Sequence, residues 1–371
     1  MKPGGSRVFN TVGIIGAGQL GQMLEHAATN IGLSCTCLDI SDHSPVSCTG
    51  NIGKAACESL NQLSAVAKSC DVVTYEFENV PAAVLRTVET QCPVWPSPTA
   101  LEYAQDRLAE KKLFQSLGIP VTGHRCVDSA EDLRKASESL GLPLIVKTRR
   151  LGYDGKGQRR LESPGEAASV FDDLGGRDLV AEQIVPFDRE VSAIGARGVD
   201  GEIATYALSK NEHREGILRI ARAEVGDTRL ASIAHQYLKR LMIRLGYVGI
   251  LTLELFVLED QLLANEFAPR VHNSGHWTIE GAKTSQFENH LRAITGMPLG
   301  DTSVIGFPGM VNIIGKIPED SAFDGIGDVI LHNYEKSCRP GRKLGHATII
   351  GENAAHRDQL LLRLNAVLAA H

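Results

Sequence analysis

The 371-residue chain has no apolar run approaching the roughly 18 residues that a membrane span requires. It has no large excess of one charge: 38 Lys and Arg stand against 44 Asp and Glu, a formal net charge of −6. That balance argues against a general nucleic-acid or polyanion binder. The opening Met1-Lys2-Pro3-Gly4-Gly5-Ser6-Arg7 offers no signal-peptide core. Eight cysteines occur without a single C-x-x-C pair, which counts against a zinc or dithiol redox motif. Cys35 and Cys37 fall in an apolar stretch, Leu33 to Leu38, and are expected as small core residues of a buried strand. Internal repeats and low-complexity tracts are also missing. These absences predict a cytoplasmic protein with no membrane or nucleic-acid partner. With 43% apolar and 22% charged residues, neither a disordered nor a fibrous chain fits, and the length suggests two or three domains.

What the chain has in excess is glycine, 37 residues, about one in ten against an average near 7%. Such glycine makes either linkers or backbone that must approach a ligand, and position decides between them. Residues 8–98 alternate strand and helix (Val8–Ile15, Leu20–Asn30, Ser34–Asp39, Leu60–Ser69, Val72–Tyr75), the rhythm of a parallel α/β sheet. Cys92-Pro93-Val94-Trp95-Pro96-Ser97-Pro98 marks a boundary. Beyond it the pattern predicts helices over Ala100–Leu117 and Ala130–Leu140, then strands over Pro143–Thr148 and Leu179–Ile184. From Val191 strands dominate (Val191–Ala196, Ile203–Leu208, Tyr247–Leu258), interrupted by a helix at Leu230–Leu245. After Pro298 the chain reads as turn-rich, closing with a helix at Arg357–Ala370.

Gly16-Ala17-Gly18-Gln19-Leu20-Gly21 follows an apolar strand and opens a helix, the context in which G-x-G-x-x-G holds a phosphate at a helix N-terminus. Asp39 ends the next strand, where a dinucleotide fold places its ribose carboxylate. Taken alone, these features suggest an NAD-dependent oxidoreductase, a tight turn serving packing only, or a turn for another phosphate ligand. The second cluster has a different logic. Lys147 ends an apolar strand, and Gly152, Gly155 and Gly157 follow in a loop with Lys156 and no ensuing amphipathic helix. This is not a Walker A loop; it reads as a flap whose amides fold over phosphates.

Glu254 and Glu266 sit on successive strands, Gly249–Leu258 and Leu262–Phe267. A three-residue connection, Glu259-Asp260-Gln261, would put them directly opposite, about 5 Å apart at Cβ. A two-residue turn would instead oppose Asn265 to Glu254. Facing carboxylates call for a cation, and Mg²⁺ bridging nucleotide phosphates suits them. Downstream, Pro269 and Gly275 disfavour a helix, so His272 and His276 are not a helical zinc pair. Lys336, Arg339, Arg342 and Lys343 form a basic run that reads as a solvated turn or a phosphate clamp.

Four segments then resemble one family: Gly18 to Met23, Tyr75 to Val80, Gly152 to Gln158, and Asn265-Glu266-Phe267-Ala268-Pro269-Arg270-Val271-His272-Asn273-Ser274-Gly275-His276. The chain is similar, from about residue 11 to 350, to the N5-carboxyaminoimidazole ribonucleotide synthetases, ATP-grasp enzymes of purine biosynthesis. The resemblance implies an α/β (α+β) chain of three domains: a Rossmann-like domain over 1–98, a small lid domain over 99–185, and a large domain over 186–371. The last would include a substrate-binding segment from about 305. It further implies a homodimeric ligase using ATP and Mg²⁺ to carboxylate aminoimidazole ribonucleotide with bicarbonate, its product passing to a separate mutase. Arg107, Lys147 and the loop Gly152, Tyr153, Asp154, Gly155, Lys156, Gly157, Gln158 would hold ATP phosphates. Glu182, Gln183, Ile184 and Val185 would meet adenine, Glu190 the ribose, and His213 and Asn265 would complete the nucleotide site. Glu254 and Glu266 would ligate the metal. Gln19, Leu20, Glu76, Tyr153, Asn273, Lys336, Arg342 and Lys343 would hold the ribonucleotide, with Arg270, His272 and Lys156 at the chemistry. One departure stands out: Leu151 occupies a position where the family often has glycine.

Overall fold

A computed structural model describes residues 8–39, 53–54, 60–152, 157–226 and 228–369. The N-terminal part is a parallel sheet in the order β3-β2-β1-β4, built from β1 (Thr11–Ile15), β2 (Ser34–Asp39), β3 (Gly53–Lys54) and β4 (Val72–Tyr75). β1 and β4 are near-continuous apolar runs because helices cover both faces of such a sheet. Helix α1 (Gln19–Asn30) lies on one side, and α2 (Leu60–Ser69) and α3 (Ala82–Glu89) share a core on the other. The strand–helix rhythm of residues 8–98 is thus observed.

The single helix expected over residues 100–117 is two, α4 (Pro98–Ala104) and α5 (Arg107–Ser116). Asp106 leaves helical backbone (φ −128°, ψ 103°) and its carboxylate accepts from the amides of Leu108 and Ala109. A capping carboxylate starts a new helix here in the middle of an apolar pattern. Next come β5 (His124–Val127), α6 (Ala130–Leu140), β6 (Leu144–Thr148), β7 (Gln158–Leu161), α7 (Ala167–Asp173) and β8 (Leu179–Gln183). Their strands pair antiparallel in the order β5-β8-β6-β7, and α6 and α7 bury one face.

The remainder is a nine-stranded antiparallel sheet, β14-β13-β9-β11-β12-β15-β17-β16, with β10 paired to β9. Its elements are β9 (Arg189–Arg197), β10 (Ile203–Thr205), β11 (Leu208–Arg214), β12 (Ile217–Glu224), α8 (Thr228–Arg244), β13 (Gly249–Leu258), β14 (Gln261–Ala268), α9 (Thr278–Gly281), α10 (Gln286–Thr295), β15 (Phe307–Ile314), β16 (Ile330–Asn333), β17 (Lys343–Gly351) and α11 (Ala354–Ala369). The strand expected over 203–208 is split into β10 and the start of β11. The region after Pro298 is not merely turns: β15 and β17 extend the sheet and pack α11 against it. Polar residues on these strands hid them, since Asn312, His346 and Thr348 are buried inside the sheet rather than exposed at turns. α8 packs with α5 on one face of the large sheet, and α10 packs with α1 on the other. No helix among the described residues is long and apolar enough to cross a membrane.

Candidate active site

The glycine turn after β1 is closed by a residue of β4's C-terminal extension. Glu76 is buried, and its two carboxylate oxygens accept from the amides of Gly18 and Gly21, each at 2.5 Å. Burial pushes the Glu76 carboxyl upward against the pull of these two amides and of Lys336 and Arg270. Gly16 takes φ +110°, and a Cβ there would lie 2.3 Å from Glu76 Cγ. The expectation that this turn offers its amides to a phosphate is therefore corrected: an internal carboxylate takes two of them. Anions at helix N-termini are favoured whatever their source, and here the chain supplies its own. Asp39 does close β2, but its side chain lies outside what is described.

The carboxylate hairpin holds a second correction. Leu258 pairs with Gln261, so the turn has two residues, Glu259 and Asp260, at φ +47° and +61°. Such a turn alone would oppose Asn265 to Glu254. Instead the register shifts after Glu254: Leu255 pairs with Ala264, whereas Glu254 pairs with Glu266. Asn265 is the extra residue of a β-bulge, a device that re-aims side chains beside functional sites. The two glutamates thus face each other, by a bulge rather than by the longer turn.

Each carboxylate meets a cationic or imidazole partner. Glu266 Oε2 accepts from Arg107 Nη1 at 2.8 Å, and Glu254 Oε1 lies 3.1 Å from His272 Nε2. Burial opposes ionisation of Glu254, but the His272 hydrogen bond and the surrounding positive groups hold its carboxyl down at about 2. Both glutamates are hard oxygen donors, so the pair fits a divalent cation. Among the described residues no cluster of three His, Cys, Asp or Glu could hold a metal, so phosphate or water oxygens would have to complete the shell.

Around this pair opens a cavity of about 770 Å³. It is lined by Phe187, Glu190, His213 and Phe256 and by Gln19, Leu20, Glu76, Asn273 and Lys343. Arg107, Lys147, Glu254, Asn265, Glu266, Arg270 and His272 lie along it, and the described ends of the flap, Gly152 and Gln158, border it. His213 Nδ1 is 2.7 Å from Glu190, which raises the imidazole above its usual range against the effect of burial. Arg270 Nη2 is 2.9 Å from Glu78.

Other expected site residues stand outside the lining. Glu182 is buried and bridges Lys147 (3.0 Å) and Lys111 (3.3 Å). Burial would raise its carboxyl, yet the two ammonium groups hold it at about 2. The Gln183 side chain donates to Leu140 O, on the side of α6, and neither Ile184 nor Val185 lines the cavity. Lys336 donates to Gln19 Oε1, so it reaches the cavity through a lining residue. Arg342 is held by Ser337 Oγ at 2.7 Å. Gly157 turns back onto Thr148 with φ +71°. Tyr153, Asp154, Gly155 and Lys156 lie outside the described residues. Leu151, at φ +64° and exposed, adopts backbone that favours glycine.

Sequence reasoning missed several contributors. Phe187 and Phe256 stack at 4.8 Å with an interplanar angle of 11°, forming an apolar wall. Nothing in their spacing joins a loop residue to a strand residue 69 positions on. Asp106 anchors the flap stem, pairing with Arg149 (2.7 Å) and Arg150 (3.2 Å) while Arg107 N donates to Arg149 O. The Pro-free interior of the expected helix concealed that cap. Lys111, which no motif singles out, is 2% exposed and paired with Glu182.

Three family models match the chain. A ribonucleotide synthetase preATP-grasp domain matches residues 9–105, an ATP-grasp domain residues 112–287, and a phosphoribosylaminoimidazole carboxylase C-terminal domain residues 309–359. The N5-carboxyaminoimidazole ribonucleotide synthase of Pseudomonas aeruginosa is 42% identical over 362 residues, covering 97% of this chain and 99% of the relative. The crystal structure of the Thermus thermophilus synthetase superposes with a TM-score of 0.92 at 45% identity, over 96% of this chain and 98% of that one. The Aspergillus clavatus synthase, solved with ADP and 5-aminoimidazole ribonucleotide, gives 0.88 at 29% identity, over 99% and 100%.

Proposed function

The chain belongs to the N5-carboxyaminoimidazole ribonucleotide synthase family of ATP-grasp enzymes, and on that premise we propose how its residues divide the reaction. It is an ATP-dependent carbon–nitrogen ligase of purine biosynthesis, carboxylating 5-aminoimidazole ribonucleotide. A bicarbonate oxygen attacks the γ-phosphorus of ATP, and ADP leaves. The 5-amino nitrogen then takes the carboxyl group of the carboxyphosphate, or the CO₂ it releases. Phosphate departs and the amine gives up a proton.

One observation carries the assignment of residues: a single cavity is lined by Phe187, Glu190, His213 and Phe256, by Gln19, Glu76, Asn273 and Lys343, and by Glu254, Glu266, Arg270 and His272. We assign the first four to the nucleoside of ATP and the second four to the ribonucleotide, with the γ-phosphate at the glutamate pair. Arg107 and Lys147 neutralise phosphate charge, and Glu182 aims Lys147 through their ion pair. The flap from Gly152 to Gln158, with Tyr153 and Lys156, is assigned to the phosphates from its sequence motif. Arg270 and His272 hold the carboxyphosphate. Mg²⁺, held by Glu254 and Glu266, would supply charge neutralisation for the transferring phosphoryl group. Carboxyphosphate hydrolyses readily, so a lid that excludes water is needed, and we assign that role to the glycine-rich segment from its sequence motif. The domain limits of 1–98, 99–185 and 186–371, a cytoplasmic homodimer and transfer of the product to a mutase complete the proposal.

The purified protein is expected to release ADP from ATP only with Mg²⁺, and faster with bicarbonate plus the ribonucleotide. Coupled ADP detection with each component withheld tests this. ADP release indifferent to the ribonucleotide would overturn the substrate assignment while leaving the ATP site standing.

A further inference from the structure

We propose that Ser274 and Gln286 are positioning residues that lock the His272 imidazole in one tautomer, with Nε2–H turned to Glu254 and Nδ1 unprotonated. The proposal rests on the reading of Arg270 and His272 as the carboxyphosphate site. Neither Ser274 nor Gln286 lines the cavity and both are fully buried, so each reaches it through His272, although Gln286 Nε2 also lies 3.4 Å from His276 Nδ1.

The ring is gripped at both nitrogens. Nδ1 accepts the backbone amide of Ser274 at 3.3 Å and stands 2.8 Å from Ser274 Oγ. An amide N–H can only donate, so Nδ1 presents a lone pair, and the rotatable hydroxyl adds its proton to the same atom. On the far side Nε2 lies 3.1 Å from a carboxylate oxygen of Glu254, which can only accept. The two sides demand the same tautomer, assigned here from the hydrogen-bond network.

The backbone beneath the ring is gripped as well. Gln286 Oε1 accepts from His272 N at 2.9 Å, and Gln286 Nε2 donates to His272 O at 2.6 Å. This two-point amide clamp sets the peptide that carries the ring. Gln286 is itself held, because its own amide donates to Thr278 Oγ1, which donates to Gly275 O. A Cβ on Gly275 would meet Gln286 Cδ at 2.9 Å and Ile194 Cδ1 at 2.7 Å, so glycine lets the clamp close. One turn along α10, His290 accepts from Ile250 N and meets Thr74 Oγ1 of β4. His272 is thereby tied through one helix face to both the large sheet and the N-terminal sheet. A ring fixed in this way offers a directed N–H donor without reorganising during the reaction.

The test combines histidine ¹⁵N spectra with kinetics on the full-length protein. His272 in the parent, identified by its loss in His272→Gln, should show a protonated Nε2 and an unprotonated Nδ1. In Ser274→Ala, which keeps the backbone amide but loses the hydroxyl, the Nδ1 signal should move as its stronger hydrogen bond disappears. Its kcat should fall about tenfold to a hundredfold, with KM for ATP unchanged and more ADP released per ribonucleotide carboxylated. A protonated Nδ1 in the parent would overturn the proposal, even if Ser274→Ala failed to fold. So would a Ser274→Ala enzyme with parental kcat and unmoved signals. If the parent lacked ribonucleotide-stimulated ADP release, the functional reading would fall instead, and the parental spectrum would still decide the tautomer.

Discussion

Lys336 shows how a residue's chemistry depends on what surrounds it. Burial, and then the neighbouring Arg342 charge, push its ammonium down to about 8, while Glu76 opposes them. An anionic ribonucleotide recognises only the charged form. The lysine is cationic below about pH 7 and loses its proton as pH rises through about 8, so affinity falls in that window. KM for the ribonucleotide should rise severalfold from about pH 7 to about pH 9, while KM for ATP stays level. Steady-state kinetics at fixed ionic strength would show it, and Lys336→Met should give a flat profile with a high KM throughout. An unchanging KM in the parent would remove Lys336 from the substrate site. The basic run around it was plain in the sequence, but not its contact with Gln19, which is 317 positions away and made only by the fold.

At the scale of elements, the β13–β14 hairpin separates what local pattern can and cannot predict. Alternating apolar residues announced two strands and their two glutamates. The sequence leaves the turn open between two and three residues because Glu259 and Asp260 lack the Asn-Gly signature of a two-residue turn, and both pay strain for left-handed backbone. Replacing them (Glu259→Asn with Asp260→Gly) should stabilise the protein by about 1 kcal/mol, read as a shift in the urea midpoint, with kcat unaltered. A destabilised double variant would mean that the two side chains matter more than backbone strain. The bulge at Asn265 carries no composition signal of its own. It exists because β13 must pair with β9 on one side while presenting Glu254 and Glu266 to the same cavity on the other. The α4–α5 break was similarly hidden, since one aspartate served as a cap inside an apolar pattern.

Across the whole molecule, His290 joins the N-terminal sheet to the large one. Ile250 N–H donates to Nδ1 at 3.1 Å, so Nε2 carries the proton and donates to Thr74 Oγ1 at 2.8 Å. Burial pushes this imidazole down to about 3. An unfolded histidine takes its proton near 6.5, so between these values the unfolded chain binds more protons and stability falls as pH drops. At about pH 4.5 the loss from this one group is roughly 2–3 kcal/mol. Urea melts at about pH 7 and about pH 4.5 should show a larger drop for the parent than for His290→Gln, which keeps a donor and an acceptor. Equal drops would mean that acid acts elsewhere. The sequence offered no hint of this joint: His290 and Thr74 are 216 residues apart, and each lies in an ordinary amphipathic or apolar segment.

By itself the sequence determined the parallel α/β start, most element positions, the two glutamates and the motif residues that face the cavity. These depend on local periodicity, turn chemistry and short-range spacing. Only the tertiary structure decided that Glu76 closes the glycine turn, that a bulge opposes Glu254 to Glu266, that Glu182 serves two lysines, and that Ser274 and Gln286 grip His272. The reason is physical: hydrogen bonds and ion pairs are directional and short, so their partners are chosen by packing between segments far apart in the chain, not by either segment alone.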